Sequence, residues 1–439
     1  MNEDKINKVK ISTEPYKGVR DFYPEDMAIE NHIFNIWKKT AESFGYEEYS
    51  ASILESADLY KAKSGEEIVN EQTYTFTDRG GREVTLRPEM TPTIARMISA
   101  KKRELSFPLR WYSIPNVFRY EQPQRGRLRE HFQLNVDVFG IESTDAEIEG
   151  ISLGYEIMKS YGLKDTDFEI LINNRKVMNY VTKDVLGLDE DKSQKLCKLI
   201  DKKNKLKPEA FEMGVQELLA DRTPSFMTLL NSKNFEEFTK NLKQTAEEHE
   251  GLKEIKEVIA GLDRLGIRNV RFDQTLMRGF DYYTGIVFEV FDTNPENRRS
   301  IFGGGRYDEL LSIFGGEKVP AFGFGAGDVT AKDLLEIRDL LPKTKTKTEL
   351  YICPMQKTDI PFANEIAQKA RTDGVNTAVD YSKKKVGDKI KFADKNGIPF
   401  VTVIGEEEKN SGTFKIKNLL SGKEEVTNVD SLSEVIKKL

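Results

Sequence analysis

The chain has 439 residues, 67 Lys and Arg against 73 Asp and Glu, a formal net charge of −6 and 38% hydrophobic residues. That apolar share excludes wholesale disorder, and no run reaches the ~18 apolar residues of a membrane helix. Two cysteines, Cys197 and Cys353, cannot build a disulfide framework or a four-cysteine zinc site, so a reducing, cytoplasmic setting is expected.

Residues 1–175 open with a polar start and a helical pattern over Glu25–Phe44. Strand-like runs follow at Thr73–Thr77 and Glu83–Leu86, separated by Asp78-Arg79-Gly80-Gly81, which suits a tight hairpin turn. Val117–Glu121 and Phe132–Phe139 flank a further loop. Residues from about 176 to 265 are rich in Lys, Glu and Leu at helical spacing, and strand character returns at Val270–Phe272, Ile286–Phe291 and Ala321–Gly325. Pro342-Lys-Thr-Lys-Thr-Lys-Thr348 reads as a linker. Beyond it, strands at Leu350–Cys353, Asn376–Val379 and Phe400–Ile404 alternate with helical patterns at Ile360–Ala370, Lys383–Asn396 and Val429–Leu439. The expected architecture is an antiparallel α+β domain over 1–341 with a helical insertion at about 176–265, a linker at 342–348, and a small α/β domain over 349–439.

Four stretches can carry chemistry. In Phe118-Arg119-Tyr120-Glu121, strand alternation sets Arg119 and Glu121 on one face, and the loop after it holds Arg125, Arg127 and Arg129. On the return strand Phe132, Leu134, Val136 and Val138 share an apolar face, and Gln133, Asn135 and Asp137 share the other. Charge alternation alone favours a solvated sheet face; the arginine density points to phosphate. Thr85–Thr93 runs a strand into a helix start, where Glu89 and Thr91 fit a capping pair as well as a ligand site. Arg278-Gly-Phe-Asp-Tyr282-Tyr283-Thr-Gly285 is a poor strand start and a plausible ligand-lining turn. Gly303-Gly304-Gly305-Arg306 lets something approach the backbone closely. Gly323-Phe-Gly325-Ala-Gly327 is not the dinucleotide fingerprint, and no Walker lysine follows any glycine loop. His32, His131 and His249 lack metal-ligand spacing.

Together these stretches resemble the histidyl-tRNA synthetase family of class II aminoacyl-tRNA synthetases, from Gly18-Val-Arg-Asp-Phe-Tyr-Pro24 to the C-terminus. Arg119-Tyr-Glu121 and its loop resemble class II motif 2. Leu86-Arg-Pro-Glu-Met-Thr91 and Arg278–Gly285 resemble the family's histidine-binding signatures. The resemblance implies a homodimer with an antiparallel class II catalytic sheet flanked by helices, a helical insertion and a C-terminal α/β anticodon-binding domain. It implies ATP, Mg²⁺, L-histidine and tRNA(His) as reactants, and no membrane partner. It implies that Arg119 and Arg278 act on the α-phosphate and that Glu121 lies near adenine. Arg127 would hold phosphate; Glu89, Thr91 and Gln133 the α-amino group; Asp137, Tyr283 and Tyr282 the imidazole.

Two departures stand out. Ser52 replaces the proline of motif 1. In motif 3 the family pattern expects an arginine for the γ-phosphate soon after Pro320-Ala-Phe-Gly-Phe-Gly325, and Thr330 stands in its place. Lys332 faces elsewhere on a helix, so either another cation such as Arg306 serves, or ATP binding is altered, or this is a subfamily variant. The missing arginine also keeps an alternative open: a non-catalytic synthetase-like protein of the kind that regulates ATP phosphoribosyltransferase. Lys383, Lys384, Lys385 and Lys389 are candidate RNA contacts, with a solvated helix face weighed equally.

Overall fold

The computed structural model describes residues 12–61, 72–203, 206–245, 248–277, 282–297, 299–343 and 346–439. The chain forms two compact units, Met1–Pro342 and Lys343–Leu439. Among the described residues no helix is long and apolar enough to cross a membrane.

The strands of the first unit are β1 Glu47–Glu48, β2 Leu54–Ser56, β3 Tyr74–Thr77, β4 Glu83–Leu86, β5 Leu109–Ser113, β6 Asn116–Phe118, β7 Glu130–Phe139, β8 Phe168–Asn174, β9 Val270–Phe272, β10 Ile286–Asp292, β11 Ser300–Arg306 and β12 Ala321–Gly327. One sheet runs in the order β1-β5-β7-β12-β11-β10-β8-β9, with β6 beside β7, and β2-β4-β3 form a second. The six central strands of the large sheet are antiparallel; edge strands β1 and β9 pair in parallel. A class II catalytic sheet is thus present.

Helix Pro24–Ser43 starts at a proline, whose missing N–H costs nothing there, with Glu25 and Asp26 in the first turn facing the positive end of the helix dipole. Its Ile33, Trp37 and Ala41 recur every four residues and are buried with Leu134, Val136 and Val138 of β7 in one core. Helix Asp145–Ser160 covers the same face, and Gly150 and Gly154 lie close under Phe322 and Phe302. The other face carries a smaller apolar cluster that includes Leu171, Tyr283, Val287 and Tyr307, and it holds the candidate site.

The helical insertion is a run of helices: Arg175–Asn179, Glu190–Asp201, Pro208–Leu219, Thr223–Leu230, Phe235–Leu242 and Glu250–Arg264. It carries a groove of about 460 Å³ beside Phe235, Lys240 and Lys243, away from the residues singled out above.

The second unit has strand order β14-β13-β15-β16-β17, from β13 Leu350–Pro354, β14 Thr377–Val379, β15 Phe400–Ile404, β16 Thr413–Asn418 and β17 Glu424–Asn428. The antiparallel hairpin β16–β17 is additional to the three strands expected. The helix expected from Lys383 starts at Val386. Lys389 is buried, donating to Pro354 O at 3.0 Å and pairing with Asp380 Oδ1 at 3.6 Å, so it is not a surface cation.

Candidate active site

β6 ends at Phe118, so Arg119 and Glu121 sit beyond the strand, not alternating along it. Local bonds still fix them. Arg119 N donates to Arg129 O at 2.9 Å, its Nε donates to Pro88 O at 2.9 Å, and Arg127 Nε pairs with Glu121 Oε2 at 2.8 Å. Arg119 is thereby tied to the 86–91 segment that carries Glu89 and Thr91. Arg129 is not part of a cationic loop tip. It is buried, with its guanidinium 4.1 Å from the Tyr120 ring and its Nε donating to Glu121 O. Arg125 and Arg127 remain at the tip, where Gly126 turns with φ of +71°.

Strand register builds the floor. Trp111, Asp137, Gly323, Gly305 and Val287 lie side by side across five strands, and Ser113, Asn135, Gly325, Gly303 and Glu289 form the next row. Directly paired residues share a face, so Gly303, Gly305, Gly323, Gly325 and Gly327 leave two adjacent strands bare on the site side. A Cβ at Gly323 would lie 2.3 Å from Asp137 Oδ1, and one at Gly325 would lie 2.2 Å from Gln133 Nε2. The Gly303–Gly305 run lies in a central strand, β11. At Gly304 the close approach is from the neighbouring strand, with a Cβ only 1.9 Å from Gly323 O.

Asp137 closes one end of this floor. It is 3% exposed; its Oδ1 accepts a short hydrogen bond from Tyr307 Oη, while its buried Oδ2 has no donor among the described residues. Burial pushes its carboxyl up to about 7, with the Tyr307 bond opposing. The Tyr282 ring lies 4.7 Å from Tyr283 and 6.0 Å from Tyr307. Tyr307 carries no sequence signal for the site, because its partner Asp137 lies 170 residues earlier; only the alternation of the adjacent β11 places it on the same face.

Glu89 is buried just before helix Thr91–Lys101, whose N-cap is Met90 with no side-chain cap bond, so Glu89 and Thr91 are not a capping pair. Gln133 donates to Asn135 Oδ1 at 2.9 Å along β7. His131, further along the same face, is held neutral: burial first, then Arg119 and Arg20, push it down to about 3. Arg278 lies outside the described residues.

Arg306 is the clearest correction. Its side chain is 4% exposed and grips Glu147 through Nε and Nη2, both at 2.5 Å, with further bonds to Ile141 O and Ser143 O. Every arm of the guanidinium is committed to the protein, so it cannot replace a phosphate-binding arginine.

Among the described residues no cluster of three His, Cys, Asp or Glu side chains could hold a metal ion. Glu289 is a second carboxylate on the glycine floor besides Asp137, its Cγ 2.9 Å from where a Gly303 Cβ would stand. A carboxylate on an open floor fits Mg²⁺ carried in on a triphosphate, since that ion keeps its waters and leans on phosphates.

An antiparallel sheet of this order, with a motif 2 hairpin and a bare glycine floor, defines a class II aminoacyl-tRNA synthetase. The family model for histidyl-tRNA synthetase matches residues 18–329, and that for the anticodon binding domain matches 349–439. A histidine–tRNA ligase of Leptospira biflexa is 39% identical over 418 residues, covering 94% of each chain. One of Thermoplasma volcanium is 34% identical, covering 97% of this chain and 98% of its own. The crystal structure of histidyl-tRNA synthetase from Nostoc superposes with a TM-score of 0.82 at 24% identity, covering 98% and 100% of the two chains. A Bacillus halodurans structure described as an ATP phosphoribosyltransferase regulatory subunit/histidyl-tRNA synthetase gives 0.74 at 26% identity, covering 90% and 98%. The chain belongs to the histidyl-tRNA synthetase family.

Proposed function

We propose that the chain joins L-histidine to tRNA(His) in two steps. The histidine carboxylate attacks the α-phosphorus of ATP, giving histidyl-adenylate and pyrophosphate. A terminal ribose hydroxyl of the tRNA then takes the acyl group and AMP leaves. The chain is a histidine–tRNA ligase in this reading, working as a cytoplasmic homodimer.

The observation that carries the reading is Asp137 Oδ2, a buried carboxylate oxygen with no donor among the described residues, beside Tyr307. An imidazole N–H supplies the missing donor, and a side chain without one leaves the oxygen orphaned, at ~1–3 kcal/mol or more. Tyr307 steadies Asp137 from behind, Tyr283 faces the second imidazole nitrogen and Tyr282 lines the wall. Glu89, Thr91 and Gln133 take the α-amino group. Arg119, anchored on the segment carrying Glu89, takes the α-phosphate with Arg278, aligning it for the carboxylate and stabilising the charge that develops there. Arg127 leaves Glu121 for phosphate, and Glu121 turns to adenine. Glu289 would help hold Mg²⁺, which would supply charge neutralisation for the pyrophosphate.

A second reading, a non-catalytic regulatory subunit, is favoured by Thr330 and by the name of the Bacillus halodurans structure. Pyrophosphate exchange into ATP, measured with each of the twenty amino acids in turn, separates the two. Exchange with histidine alone is expected; histidine binding without exchange would favour the regulatory reading.

A further inference from the structure

A triphosphate needs cations, and Thr330 supplies none. Its Oγ1 donates to Ile301 O at 2.8 Å and to Gly327 O at 3.0 Å, closing the strand–helix junction. Two residues before Ile301 stands Arg299, exposed, with Nη1 donating to Arg125 O at the tip of the 119–129 loop. A Cβ on Gly126 would lie 2.9 Å from that Nη1 and 3.5 Å from Asp333 Oδ2, so loop tip, Arg299 and Asp333 meet at one point. Asp333 is three residues past Thr330, on the same face of helix Asp328–Ile337. Arg299 therefore occupies the side of the helix onto which residue 330 projects.

Other described cations nearby are committed. Arg20 pairs with buried Asp328 at 2.5 Å and with Glu30 at 3.7 Å, Lys332 pairs with Asp26 at 3.4 Å, and Arg306 is held by Glu147. At the loop tip the balance differs. Arg125, Arg127 and Arg299 face the carboxylates of Asp333, 3.9 Å from Arg125, and Glu121, which takes Arg127. Among the described residues, the guanidinium groups of Arg125, Arg127 and Arg299 outnumber the two carboxylates they meet directly, with Glu336 also acting on Asp333.

We propose that Arg299 binds the terminal phosphate of ATP in place of the arginine absent at position 330. It gives up a neutral carbonyl for a charged oxygen, and a planar fork suits phosphate. The proposal rests on the reading of the glycine floor as the ATP site, and its test is chosen to fail separately from that reading.

Arg299→Ala, Arg299→Lys and the double variant Arg299→Ala/Thr330→Arg are compared by equilibrium binding of ATP and of AMP, which needs no turnover, and by histidine-dependent exchange. Arg299→Ala should weaken ATP by about 10- to 100-fold and leave AMP and histidine within about twofold. Arg299→Lys should recover part of the loss, and Thr330→Arg most of it. Unchanged ATP affinity in Arg299→Ala, or equal losses of ATP and AMP, overturns the proposal. A rise confined to the KM for tRNA overturns it too, assigning Arg299 to the RNA. Arg299 is exposed, so its loss leaves the fold intact. Wild-type chain that binds ATP over AMP through Arg299 yet exchanges nothing upholds this proposal while refuting the ligase reading.

Discussion

Asp137→Asn exchanges one oxygen for an amide nitrogen at constant volume, so it isolates the charge at the end of the pocket. Burial raises this carboxyl from 3.8 to about 7. Between about pH 4 and pH 7 the folded chain keeps a proton there that the unfolded chain has lost. Wild-type stability therefore falls as pH rises through that window and levels off above it. From about pH 5 to about pH 7 the loss is two pH units, or ~2.7 kcal/mol. The variant has no such group. Its amide carries a cost of its own, ~1–3 kcal/mol for a buried N–H without an acceptor, but that cost does not change with pH. The difference in unfolding free energy between variant and wild type should thus move by about 2.7 kcal/mol in favour of the variant between about pH 5 and pH 8, read by urea denaturation. Histidine affinity at about pH 8 should fall by ~100-fold or more, because an amide N–H would face an imidazole N–H. A stability difference that does not move with pH, or unaltered histidine affinity, would refute the reasoning.

Two glycines separate the floor's two tasks. Gly304→Ala sets a Cβ against the backbone of β12 and should destabilise by ~1–3 kcal/mol or more, seen as a lowered Tm with the ligand constants of the surviving folded fraction unchanged. Gly325→Ala meets only the end of the Gln133 side chain; it should fold and raise the KM for histidine, and a normal KM would remove Gln133 from the site. Arg306→Met leaves Glu147 buried without its partner and should cost ~3–5 kcal/mol, largely recovered in Arg306→Met/Glu147→Leu with ATP affinity kept. A weakened ATP affinity at unchanged Tm would return Arg306 to the phosphates.

Where side chains alternate, the sequence carried the structure. Phe132, Leu134, Val136 and Val138 had to face a core, so Gln133, Asn135 and Asp137 had to face the other way, and β7 does this. The six glycines of β11 and β12 have no such voice. With no Cβ they show neither period nor face, and their role is decided by pairing partners: β10 and β12 for Gly303–Gly305, and β7, more than a hundred residues earlier, for Gly323, Gly325 and Gly327. The arginines were harder still, because sequence shows charge but not what neutralises it. Arg127 and Arg129 are two residues apart; one meets Glu121 at the loop tip, the other is buried against Tyr120. Arg306 looks like a phosphate ligand until Glu147, 159 residues earlier, takes its fork. Lys389 has the same history with Asp380.

The distribution of that neutralisation is itself informative about the reaction. Away from the floor, several cations are matched to buried carboxylates: Arg306 to Glu147, Arg20 to Asp328, Arg338 to Asp292. A buried pair of this kind adds specificity and little net stability, and it cannot serve a ligand without breaking. Around the bare floor the matching is loose. Asp137 lacks a donor on one oxygen, and the loop tip holds more guanidinium than carboxylate. An imidazole supplies the first and a polyphosphate the second. The two deficits have opposite sign, one on the sheet and one in the loop that follows β6, which is what a site for joining a cationic or neutral donor side chain to a polyanion requires. Filling only one of them, as a regulatory histidine sensor would, leaves the arginine surplus at Arg125, Arg127 and Arg299 without a purpose.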